Sequence, residues 1–168
     1  SFPDDEQVAQ FYETGREMLT QAGYKQYEIA NFCLPGKMSR HNLHYWQRQP
    51  YLGIGLGAHG MPQADQRTAN LSSLSCYRKA ISNQQLPYHK VDILTQQQQL
   101  SEILFLGLRL VEGIHYSRIE TQFQVDLEQA FPVITRFLDL GILQKEDDYL
   151  RLAPQFFFVS NSVFVNFV

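Results

Sequence analysis

The stretch TQQQQLSEILFLGLRLVEG, residues 95–113, decides the fold of the carboxy-terminal half of the chain. Thr95 and Gln98 form the capping box T-x-x-Q, in which two side chains satisfy backbone amides at the start of a helix. Apolar residues then recur at helical spacing, at Leu100, Ile103, Leu104, Leu106, Leu108 and Val111. The pattern predicts a strongly buried helix that runs to about Gly113.

A second helix and a hairpin are predicted beyond this stretch. Residues 126–140 have a helical pattern despite Pro132, and Gly141 is typical of the position that follows a helix. Two short strand patterns within residues 142–152 then flank an acidic turn at residues 146–148. Helices followed by a hairpin indicate a winged-helix arrangement.

The amino-terminal part of the chain has an α/β pattern. Residues 3–22 predict a helix, because a proline and three carboxylates precede apolar positions at helical spacing. Residues 24–32 alternate apolar and polar side chains, which is typical of a strand, and the turn Pro35-Gly36 follows. A second short strand is predicted at 51–58, and a short helix at 74–81.

Charge and hydropathy exclude several functional classes. The chain of 168 residues is 44% hydrophobic, enough for a real core, and its formal net charge is -3. Residues 95–168 carry five Lys and Arg against nine Asp and Glu, so the winged-helix region would be repelled by nucleic acid. No run of eighteen apolar residues occurs, so we predict a cytoplasmic protein without a transmembrane segment. Arg109 lies between Glu102 and Glu112, which predicts an internal ion pair rather than acid–base catalysis.

The cysteines and most of the histidines offer no metal site. Cys33 and Cys76 form no CxxC pattern and cannot supply a four-thiolate zinc or iron–sulfur site. His59, His89 and His115 are isolated in the sequence, and a structural role is favoured for each.

The heptapeptide RHNLHYW, residues 40–46, concentrates two imidazoles, two aromatic rings, a guanidinium and an amide. A neutral imidazole such as that of His41 is a good axial ligand for haem iron, and aromatic rings can lie against a porphyrin face. The alternative is structural: His41 caps a loop that follows a strand, and Tyr45 and Trp46 pack beneath it. The residues alone leave both interpretations open.

The segment GIGLGA, residues 53–58, matches the dinucleotide-binding pattern G-x-G-x-x-A. The helix that should carry the pyrophosphate is missing, because residues 61–63 read Met-Pro-Gln. The pattern therefore favours a strand end at which the backbone of Gly55, Gly57 and Ala58 closely approaches a ligand or another chain segment.

Five segments resemble the radical-SAM family of oxygen-independent coproporphyrinogen III oxidase and its haem-chaperone branch. They are YEIANF at 27–32, HNLHYW at 41–46, YLGIGLGAH at 51–59, GLRLVEG at 107–113 and SNSVF at 160–164. The pattern H-N-x-x-Y-W is similar to the haem-binding signature of the chaperone branch. His41, Asn42, Tyr45 and Trp46 meet it, and His44 adds an imidazole at a variable position.

The resemblance implies an α/β fold, which is α+β for this chain taken by itself. Residues 1–62 would form the carboxy-terminal end of a partial TIM-like radical-SAM barrel, with the heptapeptide as a ligand loop. Residues 63–94 would be a connector with a short helix. Residues 95–168 would be a mostly helical, winged-helix-like module with a small β-hairpin.

The resemblance also implies a haem chaperone that binds haem and delivers it to haem-acceptor proteins. His41 would ligate the haem iron, Tyr45 and Trp46 would line the macrocycle, and Asn42 would orient the loop by hydrogen bonding. The alternatives are an oxygen-independent coproporphyrinogen III oxidase of porphyrin biosynthesis, and an adaptor that uses only the winged-helix-like module.

Cofactors of the family are expected in the full-length protein. Gly55, Gly57 and Ala58 would run close to S-adenosylmethionine. The CxxxCxxC motif that holds the family's [4Fe-4S] cluster is absent, so residues 1–168 alone are not expected to be catalytic. Exposed sheet edges of a partial barrel predict self-association or local disorder of the chain.

Overall fold

The computed structural model describes residues 2–168, which divide into two compact units. The first unit comprises the chain up to Gln47 together with residues 102–168, and the second comprises residues 48–101. The helices are α1 Asp5–Gln21, α2 Arg40–Trp46, α3 Leu74–Ser82, α4 Gln96–Gly107, α5 Tyr116–Phe123, α6 Leu127–Ala130, α7 Val133–Asp139 and α8 Ser160–Phe164. The strands are β1 Lys25–Gln26, β2 Phe32–Cys33, β3 His59–Gln63, β4 Gln66–Asn70, β5 Tyr88–Ile93, β6 Ile114–His115, β7 Leu143–Glu146 and β8 Tyr149–Leu152.

The amino-terminal helix α1 begins and ends where the sequence predicts. Asp4 accepts a hydrogen bond from the amide of Gln7, whose side chain accepts one from the amide of Asp4, so a capping box starts the helix. Gly23, at φ +85°, follows its end in the left-handed conformation that glycine adopts without strain.

The predicted strand at residues 24–32 is interrupted in the middle. Only its two ends form the antiparallel pair β1–β2. Between them the carboxylate of Glu28 accepts hydrogen bonds from the Ala30 amide and the Asn31 side chain, and these bonds turn the chain. Residues 27–29 instead pair in antiparallel fashion with residues 109–111.

The carboxy-terminal part of the first unit has the winged-helix arrangement. Its antiparallel sheet has the order β6–β8–β7, and the predicted hairpin is confirmed as β7 and β8. Pro132 divides the helix predicted at 126–140 into α6 and α7, because proline has no amide proton and disfavours a helical conformation at the preceding residue. Helix α4 ends at Gly107, earlier than predicted, and Gly113 (φ +79°) lies in the turn that enters β6.

A continuous apolar core holds these helices against the sheet. Its fully buried side chains include Leu104, Leu108, Leu127, Ile134, Leu143, Leu150, Leu152 and Phe167. Burial of such side chains stabilises a fold by roughly 1.5–3 kcal/mol each. Within residues 2–168, no helix combines the length and hydropathy needed to cross a bilayer.

The second unit is an antiparallel sheet of order β3–β4–β5 with helix α3, whose prediction is confirmed. The segment at 63–94, predicted as a connector with a short helix, contains β4 and β5 as well as α3. The strand predicted at 51–58 is absent; Tyr51 bridges Met61, and a turn with positive φ at Gly55 and Gly57 precedes β3. The division into residues 1–62, 63–94 and 95–168 stays a prediction.

The architecture is α+β, as predicted for the chain taken by itself. Each sheet of the described residues is antiparallel.

Candidate functional site

The heptapeptide RHNLHYW is the helix α2 rather than a loop, which corrects the sequence prediction. Ser39 precedes it in an extended conformation, and its hydroxyl accepts a hydrogen bond from the amide of Asn42 at 3.3 Å. This N-cap lies outside the motif, and the seven residues that follow contain neither glycine nor proline. The helical spacing therefore places His41 and Tyr45 on one face, one turn apart.

The imidazole of His41 lies exposed on this face. Its ring meets the ring of Tyr45 edge-on, with centroids 4.9 Å apart and an interplanar angle of 88°. His44 meets the same tyrosine ring at 6.3 Å and 90°. Because His41 and His44 are three residues apart on one short helix, they cannot occupy opposite axial positions of the same metal ion.

The opposite face of helix α2 is anchored to the rest of the first unit. Asn42 and Trp46 lie about 100° and 140° round the helix from His41, at 3.6 residues a turn. The side-chain amide of Asn42 donates a hydrogen bond to the buried Tyr27 hydroxyl at 3.3 Å. The guanidinium of Arg109 lies over the indole of Trp46, 4.5 Å from the ring centroid.

A fully buried carboxylate lies behind this arginine. Glu28 is 0% exposed, and its Oε1 accepts hydrogen bonds from the Ala30 amide at 2.8 Å and from the Asn31 side chain at 2.6 Å. Its Oε2 lies 3.8 Å from Nη2 of Arg109, an ion-pair distance without a hydrogen bond. Glu28, Arg109 and Trp46 thus form a contiguous cluster beneath helix α2.

Backbone pairing brings the two charged residues of this cluster together. The Ile29 amide donates to the Arg109 carbonyl, and the Val111 amide donates to the Tyr27 carbonyl, both at 3.1 Å. Glu28 and Leu110 form the bridge between these bonds. The ion pair of Arg109 is therefore made with Glu28, whereas the sequence suggested Glu102 or Glu112.

Sequence reasoning missed Glu28 as a site residue. The available signal was its position within YEIANF, a charged residue between two positions that read as buried. Arg109 lies in another segment of the same resemblance, GLRLVEG. Nothing local in either segment indicates that the two residues meet.

The three residues predicted to approach S-adenosylmethionine lie in the second unit, in the turn before β3. Their amides donate within the chain: Gly55 to the Tyr77 hydroxyl at 3.3 Å, Gly57 to the Leu71 carbonyl at 3.1 Å, and Ala58 to the Gly55 carbonyl at 3.4 Å. These amides are engaged, and so are the carbonyls of Gly55 and Ala58, so a ligand at this turn would meet mainly the outer surface of the turn.

Close backbone approach occurs beside these residues rather than at them. A Cβ at Gly53 would lie 2.4 Å from the His59 carbonyl oxygen, and one at Gly60 would lie 2.8 Å from the Gly53 nitrogen. The Asn70 side chain donates to the carbonyls of Gly53 and Gly55, both at 2.9 Å, and fixes the turn. The absence of a side chain at Gly53 and Gly60 thus allows close contacts with other segments of the same chain.

Among residues 2–168, the structure brings together no group of three or more His, Cys, Asp or Glu side chains that could hold a metal ion. Cys33 is buried and Cys76 is exposed, and both thiols are free. Two thiols are too few for a cluster that needs three thiolates, so these residues do not fit the [4Fe-4S] group of the family.

His115, Ser117 and Asp148 meet at the start of α5, but they are not arranged as a catalytic triad. The Ser117 hydroxyl donates to Asp148 rather than to the imidazole, and the Ser117 amide donates to the same carboxylate at 3.2 Å. The hydroxyl bond holds the pKa of Asp148 below its ordinary value of 3.8. Nδ1 of His115 lies 3.0 Å from this carboxylate, so Asp148 joins the hairpin turn to α5.

Comparison with known proteins identifies relatives along the whole chain. The family model described as HemN C-terminal domain matches residues 94–157. The heme chaperone HemW of Bacillus subtilis is 33% identical over 167 residues, covering 99% of this chain and 44% of its own length. The mitochondrial radical S-adenosyl methionine domain-containing protein 1 of Bos taurus is 33% identical over 168 residues, covering 90% of this chain and 37% of its own.

A solved structure has the same fold. It is coproporphyrinogen III oxidase (HemN) from Escherichia coli, with a TM-score of 0.73 at 18% identity, and the match covers 98% of this chain and 42% of that one. The chain thus spans less than half the length of HemW from B. subtilis, whose matched part is 44% of its length.

Proposed function

We propose that this chain, which belongs to the radical-SAM family of the heme chaperone HemW and the oxidase HemN, binds haem through helix α2. One observation carries the proposal: the exposed imidazole of His41 and the ring of Tyr45 lie one turn apart on the same helix face. Several relatives over this region bear the name heme chaperone.

Each side chain of the motif has a role in this proposal. His41 ligates the haem iron, because a neutral imidazole is a common axial ligand and this one makes no hydrogen bond within residues 2–168. The ring of Tyr45 lies against the macrocycle beside the ligand. Asn42 and Trp46 hold the helix from its other face, through Tyr27 and Arg109. A contact of Trp46 with the macrocycle, which the resemblance implies, stays a prediction.

The full activity would be delivery of the bound haem to acceptor proteins. In the family a [4Fe-4S] cluster and S-adenosylmethionine support radical chemistry. That cluster would be held by cysteine thiolates other than those of Cys33 and Cys76. The turn at Gly55, Gly57 and Ala58 would offer S-adenosylmethionine its outer surface.

Titration of the purified protein with haem, followed in the Soret band, tests the ligand assignment. The wild type should show a saturable component, and His41→Ala should lose it. His89→Ala, which removes an exposed imidazole from strand β5, serves as the matched control and should retain it. Unchanged saturable binding in His41→Ala would refute the proposal.

The alternative activity is oxidative decarboxylation of coproporphyrinogen III. An anaerobic turnover assay on the full-length protein with a reconstituted cluster distinguishes the two. Formation of protoporphyrinogen IX at a catalytic rate would overturn the chaperone assignment.

A further inference from the structure

We infer that Arg109 is a positioning residue that holds helix α2, through the indole of Trp46, in the orientation that presents His41. The inference rests on the proposed haem function and assigns the part played by a residue outside the H-N-x-x-Y-W motif. Glu28 fixes the arginine from behind. The three residues form a clamp, named here the Glu28–Arg109–Trp46 clamp.

The base of the clamp is rigid. Glu28 is fully buried, and two hydrogen bonds hold its Oε1. The main chains of residues 27–29 and 109–111 pair directly, so Glu28 and Arg109 extend from neighbouring positions of the paired segments. A carboxylate so placed strongly favours a cation beside it, since an unpaired buried charge is very costly.

Polar atoms of Glu28, Arg109 and Trp46 that lack hydrogen-bond partners indicate which contact of Arg109 is preferred. Glu28 Oε2, Arg109 Nε and Trp46 Nε1 are buried without a hydrogen-bond partner within residues 2–168, and all three belong to the clamp. An arginine that served only to neutralise Glu28 would make a two-pronged pair at 2.7–2.9 Å. Here the closest approach is 3.8 Å, and the guanidinium lies over the indole instead. Its position therefore favours the stacking contact over the hydrogen-bonded pair.

The clamp affects the orientation of His41 because Trp46 and His41 lie on the same short helix. Helix α2 has seven residues, and its inner face contacts Tyr27 through Asn42 and Arg109 through Trp46. Loss of the Trp46 contact removes an anchor at the carboxy-terminal end of the helix, so the helix is held less firmly. The exposed imidazole on the outer face would then change its direction.

Arg109→Lys separates this role from simple charge neutralisation. Lysine keeps the positive charge beside Glu28 and loses the planar stacking surface. Arg151→Lys is the matched control, because Arg151 also lies over an aromatic ring, that of Tyr149, and is paired with Glu146. Trp46 is the single tryptophan of the chain, so its fluorescence reports on the clamp without haem.

Two measurements are made on each variant. Acrylamide quenching of Trp46 fluorescence in the haem-free protein should rise in Arg109→Lys and stay at the wild-type value in Arg151→Lys. Haem affinity from the Soret titration should fall roughly 5- to 30-fold in Arg109→Lys, the range expected for loss of a partly buried cation–π contact. If Arg109→Lys does not fold, the double variant that combines Glu28→Gln with Arg109→Gln replaces it, since this double variant has no charge at either position.

The outcomes separate this inference from the proposed function. Wild-type quenching and wild-type haem affinity in Arg109→Lys, with binding lost in His41→Ala, would overturn the positioning role alone. Full binding in His41→Ala would overturn the haem site and the inference with it. Increased quenching together with weaker haem binding in Arg109→Lys supports the inference.

Discussion

Replacement of Gly113 by alanine tests the geometry of the winged-helix sheet. Gly113 has φ +79°, and a Cβ built there would lie 2.2 Å from the Leu150 carbonyl oxygen and 2.7 Å from Cγ of Arg151. Gly141 has a similar φ of +65°, but a Cβ there would meet no atom within 4 Å. The two glycines therefore share a backbone conformation and differ in the space around them.

The difference in cost follows from the position of Leu150. Each alanine costs about 1–2 kcal/mol for its left-handed conformation. At Gly113 the clashing atom belongs to the backbone of β8, where Leu150 pairs with Ile114 on one side and Lys145 on the other. Relief of the clash would break the pairing with β6, at about 1 kcal/mol for each hydrogen bond. We expect about 3–4 kcal/mol for Gly113→Ala and about 1–2 kcal/mol for Gly141→Ala.

Urea unfolding followed by far-UV circular dichroism measures both variants against the wild type. A common m value would allow the midpoints to be converted directly into differences in the free energy of unfolding. Free energies of unfolding for Gly113→Ala and Gly141→Ala that agree within about 0.5 kcal/mol would refute the close approach of Gly113 to β8.

Two further predictions concern charged groups. Glu28→Ala should destabilise the protein by about 3–5 kcal/mol in urea unfolding, because it leaves the Ala30 amide without an acceptor and the Arg109 guanidinium without its carboxylate. Glu146→Ala, which breaks an exposed pair, should cost under about 1 kcal/mol, and equal costs would contradict the buried pair. Asp148 has a lowered pKa through its hydrogen bond from Ser117, so its stabilising contribution is present above pH 3.8 and is lost as the pH falls through the folded-state pKa. The urea midpoint of Asp148→Asn should therefore fall less than that of the wild type between pH 5 and pH 2, and identical acid profiles would argue against this role.

Local signals in the sequence predicted the local features of the fold. The capping box is present, with the Thr95 amide donating to Gln98 and the Gln98 amide to the Thr95 hydroxyl. Gly141 follows α7 in the left-handed conformation, and the acidic turn joins β7 to β8. Each of these features depends on residues within a few positions of one another, so the sequence pattern contains the necessary information.

Features that depend on distant residues could not be predicted in this way. The sequence predicts a loop where helix α2 lies, because its cap, Ser39, precedes the motif and its seven residues are too few for a helical period to be clear. The pairing of Glu28 with Arg109 joins two segments far apart in the chain. The motif residues were identifiable from the sequence, but their division between an exposed face and an anchored face was not.

Tyr27 connects two parts of the first unit through different groups. Its hydroxyl accepts a hydrogen bond from Asn42, and its carbonyl accepts one from the amide of Val111. An isolated helix in water needs roughly 12–15 residues to be even marginally populated, so α2 depends on these contacts for its helical state. Ordering of α2 is therefore coupled to the cooperative folding of the first unit. Local unfolding of residues 27–29, detectable by amide hydrogen exchange, would weaken the binding of any ligand at His41, although none of these three residues contacts that ligand in the proposed site.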